Sequence, residues 1–328
     1  PRLRPHYFML LNLFRDQLDR FGEIDRIQAT IAEALAKTPE TTFVFNGDDP
    51  LCAAIADRIP NKSLAFGIAS DMGLSADRIS DSRFCQKCGG ALEYDYVHYG
   101  QLGAYRCPDC GWARPELAFA ATNVRLEEDG FVFDIDGRSV HTGHTGAYMV
   151  YNVLAAYAIS KLSGIVSFEN YQAAVREYHP TNGRLQTFDL GERKVMTNLA
   201  KNPTGFNQNI RIVLNERGRV LALFVNDNDA DGHDVSWFWD IDFERWSQIE
   251  GLRAFVGGTR ANDMQVRLKY AGIQAEIVEN VADVLAATAP TMARCTSLRT
   301  TPRCRLFAAS SKALKPPRRG RSKPWSIL

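Results

Sequence analysis

The sequence predicts an α/β protein of two domains. The first is built on a mostly parallel sheet and interrupted by a four-cysteine insertion; the second is smaller and Rossmann-like. Three observations carry this. Short apolar strand signals alternate with helical stretches of about a dozen residues, the pattern of βαβ units and parallel sheets. A His179-Pro180-Thr181-Asn182-Gly183 cluster breaks the alternation, which then restarts. Residues 83–115 are rich in Cys, Gly and Tyr and contain two Cys-x-x-Cys pairs. The predicted division is therefore 1–180 with 83–115 inserted, then 181–290, then a basic tail over 291–328.

The elements follow in order. Ile24, Ile27, Ile31 and Leu35 recur at helical spacing. Residues 42–45 form a strand running into Asn46-Gly47-Asp48-Asp49-Pro50, a turn in which Asp49 suits an N-cap and Pro50 the first position of a helix over 51–58. Residues 63–68 read as the next strand, and 93–99, inside the insertion, alternate like one arm of a hairpin. Residues 131–140 alternate like an antiparallel strand, and 151–162 and 171–178 are helical. Past the break come strands near 185–188 and 195–198, a helix from about 205 and a strongly apolar strand over 220–225. A strand at 252–256, a helix at 261–271, a strand at 275–278 and a helix at 281–287 complete the second domain.

Composition narrows the class. The 328 residues hold 39 Lys+Arg against 38 Asp+Glu, but the balance conceals two unlike parts. Residues 291–328 carry ten basic and no acidic residues, leaving 29 basic against 38 acidic over 1–290, a net charge of −9. With 45% hydrophobic and 23% charged residues the body is globular, which excludes pervasive disorder, a coiled coil and collagen. No apolar run approaches the roughly 20 residues of a membrane span. The opening Pro1-Arg2-Leu3-Arg4-Pro5 is not a secretory signal and reads as domain interior, with further material expected upstream. Seven cysteines without such a signal point to a reducing cytosol, where paired cysteines are more often metal ligands than disulfides.

The strongest chemical signal is Cys85-x-x-Cys88 and Cys107-x-x-Cys110, eighteen residues apart and each followed by Gly. Two residues between thiolates let both sulfurs reach one tetrahedral ion from a tight turn. Four thiolates leave no open coordination position, so the expected zinc is structural; two disulfides or four free thiols are the alternatives. His98 reads as a surface residue of the hairpin rather than a ligand.

A second feature is the run 226–240, with five acids after the apolar strand, where α/β folds place ligand groups. An Asx-rich turn capping the next helix is the plainer account. An EF-hand is excluded, for want of the bidentate Glu at the twelfth loop position. Asn152 can face a nucleotide or merely cap a helix, and Gly183-Arg184 can place a guanidinium near a phosphate or base. Gly257-Gly258-Thr259 resembles a phosphate loop without the Lys and spacing of a Walker A motif, which appears nowhere in the chain.

Together these pieces resemble the Mur ligase family. Asn12, Asp16, Gln17 and Asp19 resemble its N-x-x-x-D-H-x-D segment, with Gln17 in place of the His. Residues 46–49 resemble its N-A-D-D turn, Gly146 with 151–156 its G-x-x-N-x-x-N-x-x-A-A helix, and Gly183-Arg184 its G-R motif. The inserted ribbon, residues 198–205 and the run 231–239 resemble one branch, whose ligase-like chain is a subunit of an isoglutaminyl synthase. The resemblance covers residues 1 to about 290.

The resemblance implies a Mur ligase central domain without its P-loop part, carrying the zinc ribbon, followed by the Rossmann-like domain. It implies that ATP, with Mg²⁺, phosphorylates the D-Glu α-carboxylate of the lipid II stem peptide. Ammonia from a GatD-type glutaminase, bound as a heterodimer, then attacks the acyl phosphate to give D-isoglutamine for peptidoglycan. The place would be the cytoplasm, at the inner face of the bacterial membrane. On the family's pattern Asn152 and Arg184 contact the nucleotide, with Asn12 nearby. Asp234 completes the partner's Cys-His pair, with Asp240 as the fallback.

The departures carry expectations of their own. Without the P-loop the chain as given is expected to be inactive by itself, and residues 198–201 replace the D-Y-A-H segment of other members, which makes the ribose contact. Back-translated and read two bases later, residues 291–302 permit D-G-P-L-Y-V-A-P-N-Y-T, close to the family's closing strand, so a frameshift near 291 is the expected origin of the tail. Two other functions compete. One is a zinc-ribbon nucleic-acid-binding protein with Arg318-Arg319-Gly320-Arg321 as a phosphate-binding arm, against which the −9 body counts. The other is a non-catalytic Mur-like scaffold. Nucleic acid is not an expected partner.

Overall fold

The computed structural model describes residues 3–16, 22–180, 183–190, 194–215, 219–228, 232–288 and 295–299. These fall into two compact units. The first takes the described residues up to 178 together with 202–212 and 234–242, and the second takes the rest. The crossing at 178 lies two residues from the break read in the sequence. The division is not a single cut, however, because two segments of the predicted second domain, one of them holding Asp234, cluster with the first unit.

The sheet of the first unit runs β1-β2-β3-β6-β7-β8, with β1 Tyr7–Leu10, β2 Thr42–Asn46, β3 Ser63–Ile68, β6 Leu117–Glu127, β7 Gly130–Ile135 and β8 Arg138–His141. The first four strands are parallel and the last three form an antiparallel meander. Alternation along the strands supplies two cores. Val44, Phe66, Ile68 and Phe133 pack on one face with helix α3 (Tyr148–Ser163) and helix α4 (Phe168–Glu177). Phe43, Phe45 and Ala65 pack on the other with α1 (Ile24–Ala36) and α2 (Pro50–Ala56). The predicted α2 start holds: Asp49 Oδ1 accepts from Leu51 N at 3.0 Å and Pro50 takes the first helical position.

Two strands differ from the sequence reading. The stretch 131–140 is a hairpin rather than one strand, because Asp136 and Gly137 adopt φ +50° and +73°, the two-residue turn whose twist suits paired strands. Strand β6 escaped notice because its pairing with β7 shifts register between Thr122 and Arg125, with Asn123 at φ +53°, which spoils the alternation.

Between the parallel strands β3 and β6, where a crossover helix is usual, the chain places the cysteine insertion. Its hairpin pairs β4 (Glu93–Tyr99) with β5 (Leu102–Arg106). Leu92, Tyr94, Tyr105 and Trp112 join the α1/α2 core, so the insertion stands as a wall of the domain.

The second unit has a sheet in the order β13-β12-β11-β14-β10-β9: β9 Gln186–Asp189, β10 Lys194–Leu199, β11 Val220–Phe224, β12 Arg253–Gly257, β13 Ala275–Ile277 and β14 Cys295–Arg299. All pairs are parallel except β9 with β10. Helix α5 (Pro203–Asn215), most of which clusters with the first unit, follows β10 in the chain, α6 (Ala261–Tyr270) follows β12, and α7 (Val281–Ala287) opens on a capping box between Asn280 and Asp283. Strand β14 lies between β11 and β10. Five residues of the predicted basic tail thus belong to the sheet.

Candidate functional site

The four cysteines converge. Their Sγ atoms all lie within 4.8 Å of one another, with Cys85 to Cys110 at 3.6 Å and Cys88 to Cys107 at 3.5 Å. Zinc–thiolate bonds of about 2.3 Å in a tetrahedron put sulfurs about 3.8 Å apart, so the donor set fits zinc, whereas a disulfide needs about 2.05 Å. Both knuckles have the same build. Gly89 N donates to Cys85 O (2.9 Å) and Gly111 N to Cys107 O (3.0 Å), with the glycines at φ +77° and +75°. Lys87 N donates to Cys85 Sγ at 3.4 Å. Burial opposes ionisation of Cys85, but the backbone N–H groups of Cys88 and Lys87 outweigh it and bring the thiol down to about 7. Cys85 and Cys107 are buried and Cys88 and Cys110 exposed. The cluster is seated on α2, since Trp112 Nε1 donates to Asp57 Oδ2 (2.8 Å) and Lys87 pairs with the same oxygen (3.1 Å).

Beside the ribbon lies a buried acid turn. Asp48 and Asp49 are fully buried. Asp48 Oδ2 accepts from Ile68 N and Tyr151 OH, each at 2.8 Å, and its Oδ1 accepts from Arg114 Nη1 at 3.1 Å. Gly67 is needed for this approach, because a Cβ there would meet Asp48 Oδ1 at 2.5 Å. Asp49 Oδ2 accepts from Leu13 N at 2.8 Å. Burial raises both carboxyls to about 6, with Arg114 opposing it at Asp48 and the Leu13 and Leu51 N–H groups at Asp49. Arg114, Gln101 and Tyr151 were not foreseen as partners of this turn. The sequence offers no signal for them, since each reaches it across more than 50 residues.

His98 does not lie on the surface of the hairpin. It is fully buried rather than a surface residue, against Tyr96 (5.1 Å between centroids) and Tyr151 (6.1 Å), and neither ring nitrogen has a hydrogen-bond partner among the described residues. Burial lowers its pKa to about 4 from 6.5. The unfolded chain therefore takes up a proton below about pH 6.5 that the folded chain refuses until about pH 4, and stability falls as pH falls through that window, by about 3 kcal/mol in all. In His98→Phe this loss is expected to vanish. Urea midpoints of the two proteins at pH 7 and pH 4.5 check it, and parallel pH dependence would refute it.

The remaining candidates are spread out. Asn12 is half-buried and precedes Leu13, which is tied to Asp49. Asn152 is exposed on α3, next to Tyr151, which is tied to Asp48. It lines an apolar cavity of about 370 Å³ between α3 and α4, with Met149, Val153, Tyr171, Val175 and Tyr178. In the second unit Arg184 is exposed, and the turn that carries it is built by Asn198, whose Oδ1 accepts from Leu185 N (3.1 Å), with Leu185 strained at φ +47°. Asn198 was read as part of the branch-specific run 198–205 and of the departure from the family's ribose segment, not as the builder of this turn.

Asp234 is exposed, and its Oδ1 accepts from Ser236 N at 2.8 Å. This is an Asx turn just before the short 3-10 helix Ser236–Asp240, whose N-cap is Val235 without a side-chain cap bond, so the turn of the plainer account is present at this residue and the capping is not. Asp229 and Asp231 lie outside the described residues. Asp240 pairs with Arg15 at 3.2 Å. Gly257-Gly258-Thr259 is no open phosphate loop: Asn226 Oδ1 accepts from Thr259 N (3.0 Å), and Thr259 Oγ1 donates to Asp227 Oδ1 (2.7 Å).

Comparison with known proteins adds identity to this geometry. The MurT ligase C-terminal family model matches residues 199–300. Over 291 residues, 88% of this chain and 65% of the relative, the sequence is 34% identical to the lipid II isoglutaminyl synthase (glutamine-hydrolyzing) subunit MurT of Staphylococcus aureus (strain COL). It is 35% identical over 286 residues to the same subunit from Streptococcus pneumoniae (strain ATCC BAA-255 / R6), covering 86% of this chain and 63% of that one. The chain thus spans just under two thirds of the length of these curated relatives. Among solved structures it is similar to a pseudomurein peptide ligase type C from Methanothermus fervidus, with a TM-score of 0.70 at 18% identity, covering 95% of this chain and 64% of that one. MurF from Acinetobacter baumannii superposes with a TM-score of 0.62 at 14% identity, covering 94% and 59%. These likenesses establish a Mur-ligase-like fold.

Proposed function

Because this chain is a homologue of the MurT subunit of lipid II isoglutaminyl synthase and carries the MurT ligase C-terminal domain, we propose that it is the larger part of such a ligase subunit. Its whole protein would amidate the D-Glu α-carboxylate of the lipid II stem peptide to D-isoglutamine, at the cytoplasmic face of the membrane. No helix among the described residues is long and apolar enough to cross a membrane.

A carboxylate is a poor electrophile at neutral pH. One of its oxygens therefore takes the γ-phosphoryl group of ATP, releasing ADP, and ammonia then attacks the acyl carbon as phosphate departs with that oxygen. The observation that carries the nucleotide's place is the apolar cavity beside Asn152. An apolar slot with one exposed amide at its wall suits the flat face and polar edge of a purine. On the family's pattern Arg184 would also contact the nucleotide, with Asn12 nearby.

Mg²⁺, as in other Mur ligases, would shield the phosphates during transfer. Among the described residues the one convergent set of three or more acid, His or Cys ligands is the thiolate tetrad, which suits zinc and not Mg²⁺.

Asp234, exposed on its Asx turn, would complete the Cys-His pair of a GatD-type glutaminase by accepting from its imidazole. The test is Asp234→Asn in the full-length protein co-expressed with that glutaminase. Glutamine hydrolysis is expected to fall by about 10²-fold or more, since losing the orienting carboxylate of a triad costs up to about 10⁴. The pair should still co-purify. Unchanged hydrolysis removes Asp234 from the site and leaves Asp240 to be tried next.

A further inference from the structure

The hairpin of the ribbon has two working ends. Strand β4 runs seven residues from Glu93 to Tyr99, roughly 20 Å at about 3.3 Å per residue, so its turn lies far from the thiolates. That turn enters the body of the first unit. Gly100 N donates to Asp77 Oδ2 (2.8 Å) and Gly103 N to Asp48 O (3.0 Å). Gln101, 1% exposed, directs Nε2 to Leu13 O at 2.7 Å and to Asp49 Oδ1 at 3.3 Å. Leu13 N in turn donates to Asp49 Oδ2. Both backbone polar groups of Leu13 are thus held by one ring of three residues. The next residue is gripped as well, since a Cβ at Gly100, where φ is +56°, would meet the Phe14 ring at 2.8 Å.

Residues 11–16 belong to no helix or strand, so no ladder fixes them. We infer that Gln101 is the positioning residue for the strap Asn12-Leu13-Phe14, and that the metal tetrad holds the strap from a distance by ordering the hairpin. The ribbon then serves the ligase site rather than only filling the β3–β6 crossover. The link to the nucleotide rests on the reading of Asn12 given above; the clamp itself does not.

Hydrogen exchange resolved at single amides tests it. In the zinc-loaded chain Gln101→Met keeps the volume and removes the donor. The Leu13 amide is expected to exchange about tenfold faster or more, the loss of hydrogen bonds to a carbonyl and a charged acceptor. Phe133, in the central sheet, should keep its protection. Removing zinc from the unaltered chain with a chelator should release β5 and Leu13 together, which gives an answer even if the variant fails to fold. Leu13 protection that survives both treatments overturns the proposal, and survival of chelation alone overturns the remote support by the metal. In the full-length enzyme Gln101→Met is expected to raise KM for ATP more than it lowers kcat. A freed strap with KM unmoved keeps the clamp and overturns its tie to the nucleotide.

Discussion

Cys107→Ser is expected to abolish zinc binding and to unfold the ribbon. Zinc released from the denatured protein should fall from about one per chain to none, and limited proteolysis should cut first between residues 83 and 115. The size of the effect follows from what the ion supplies. Structural zinc sites contribute about 10–16 kcal/mol of apparent binding free energy in small fingers, comparable to the ~5–15 kcal/mol that holds a whole domain. The ribbon has little else, because its hairpin is two-stranded, a structure marginal by itself in water. Loss should also spread, because Cys107, Tyr105 and Trp112 are members of the α1/α2 core. Cys52→Ser is the control: Cys52 is equally buried and bonds Asp49 Oδ2 at 3.4 Å, outside the tetrad, and should leave zinc in place. A Cys107→Ser protein that keeps its zinc and its resistance to protease would sink the structural role.

The tetrad was legible in the sequence because its chemistry is local. Two residues between thiols and a glycine after each pair are read without knowing the fold. The same holds for Asp49 before Pro50, and for the strands 63–68 and 220–224, read from the runs 64–68 and 220–225, which hold no polar side chain. What escaped is non-local. His98 sits in an alternating, polar-looking strand, and nothing in that pattern says that Tyr151, 53 residues on, will cover it. Asp48 read as one more turn residue, yet it collects Ile68, Arg114 and Tyr151 from three separate segments. The tail misled in the opposite sense. Charge marked residues 291–328 as foreign to the body, while strand placement depends on a short stretch that can pair, and Cys295–Arg299 pairs with β10 and β11.

These contacts also bear on why the candidate residues lie where they do. Asn12 and Asn152 each neighbour a residue anchored on the Asp48-Asp49 turn, through Leu13 and Tyr151 respectively. Neither asparagine touches the turn through its own anchor. The buried acids hold Leu13 and Tyr151 in place, with Asn12 half-buried and Asn152 exposed beside them.

Asp48→Ala is therefore expected to be severe. It strands the Arg114 guanidinium, the Tyr151 hydroxyl and the Ile68 N–H, and removing one partner of a buried ion pair costs about 3–5 kcal/mol. In a unit of this size that lowers Tm by on the order of 10 °C. Asp48→Asn isolates the charge, and its pH dependence has a definite sign. Burial outweighs Arg114 and raises the Asp48 carboxyl from 3.8 to about 6, so the folded protein takes up the proton first as pH falls. The contribution of Asp48 to stability is full below about pH 4 and is lost as pH rises through 6. The amide has no such dependence, so the deficit of Asp48→Asn against wild type should be largest near pH 4 and shrink by about 3 kcal/mol towards pH 7. Urea unfolding of both proteins at pH 4.5 and pH 7 measures it, with Arg114→Met completing a double-mutant cycle at each pH. A deficit that grows with pH would mean that Arg114, and not burial, sets the state of the acid. The turn would then be an ion pair held by attraction rather than a carboxylate kept in place by the fold around it.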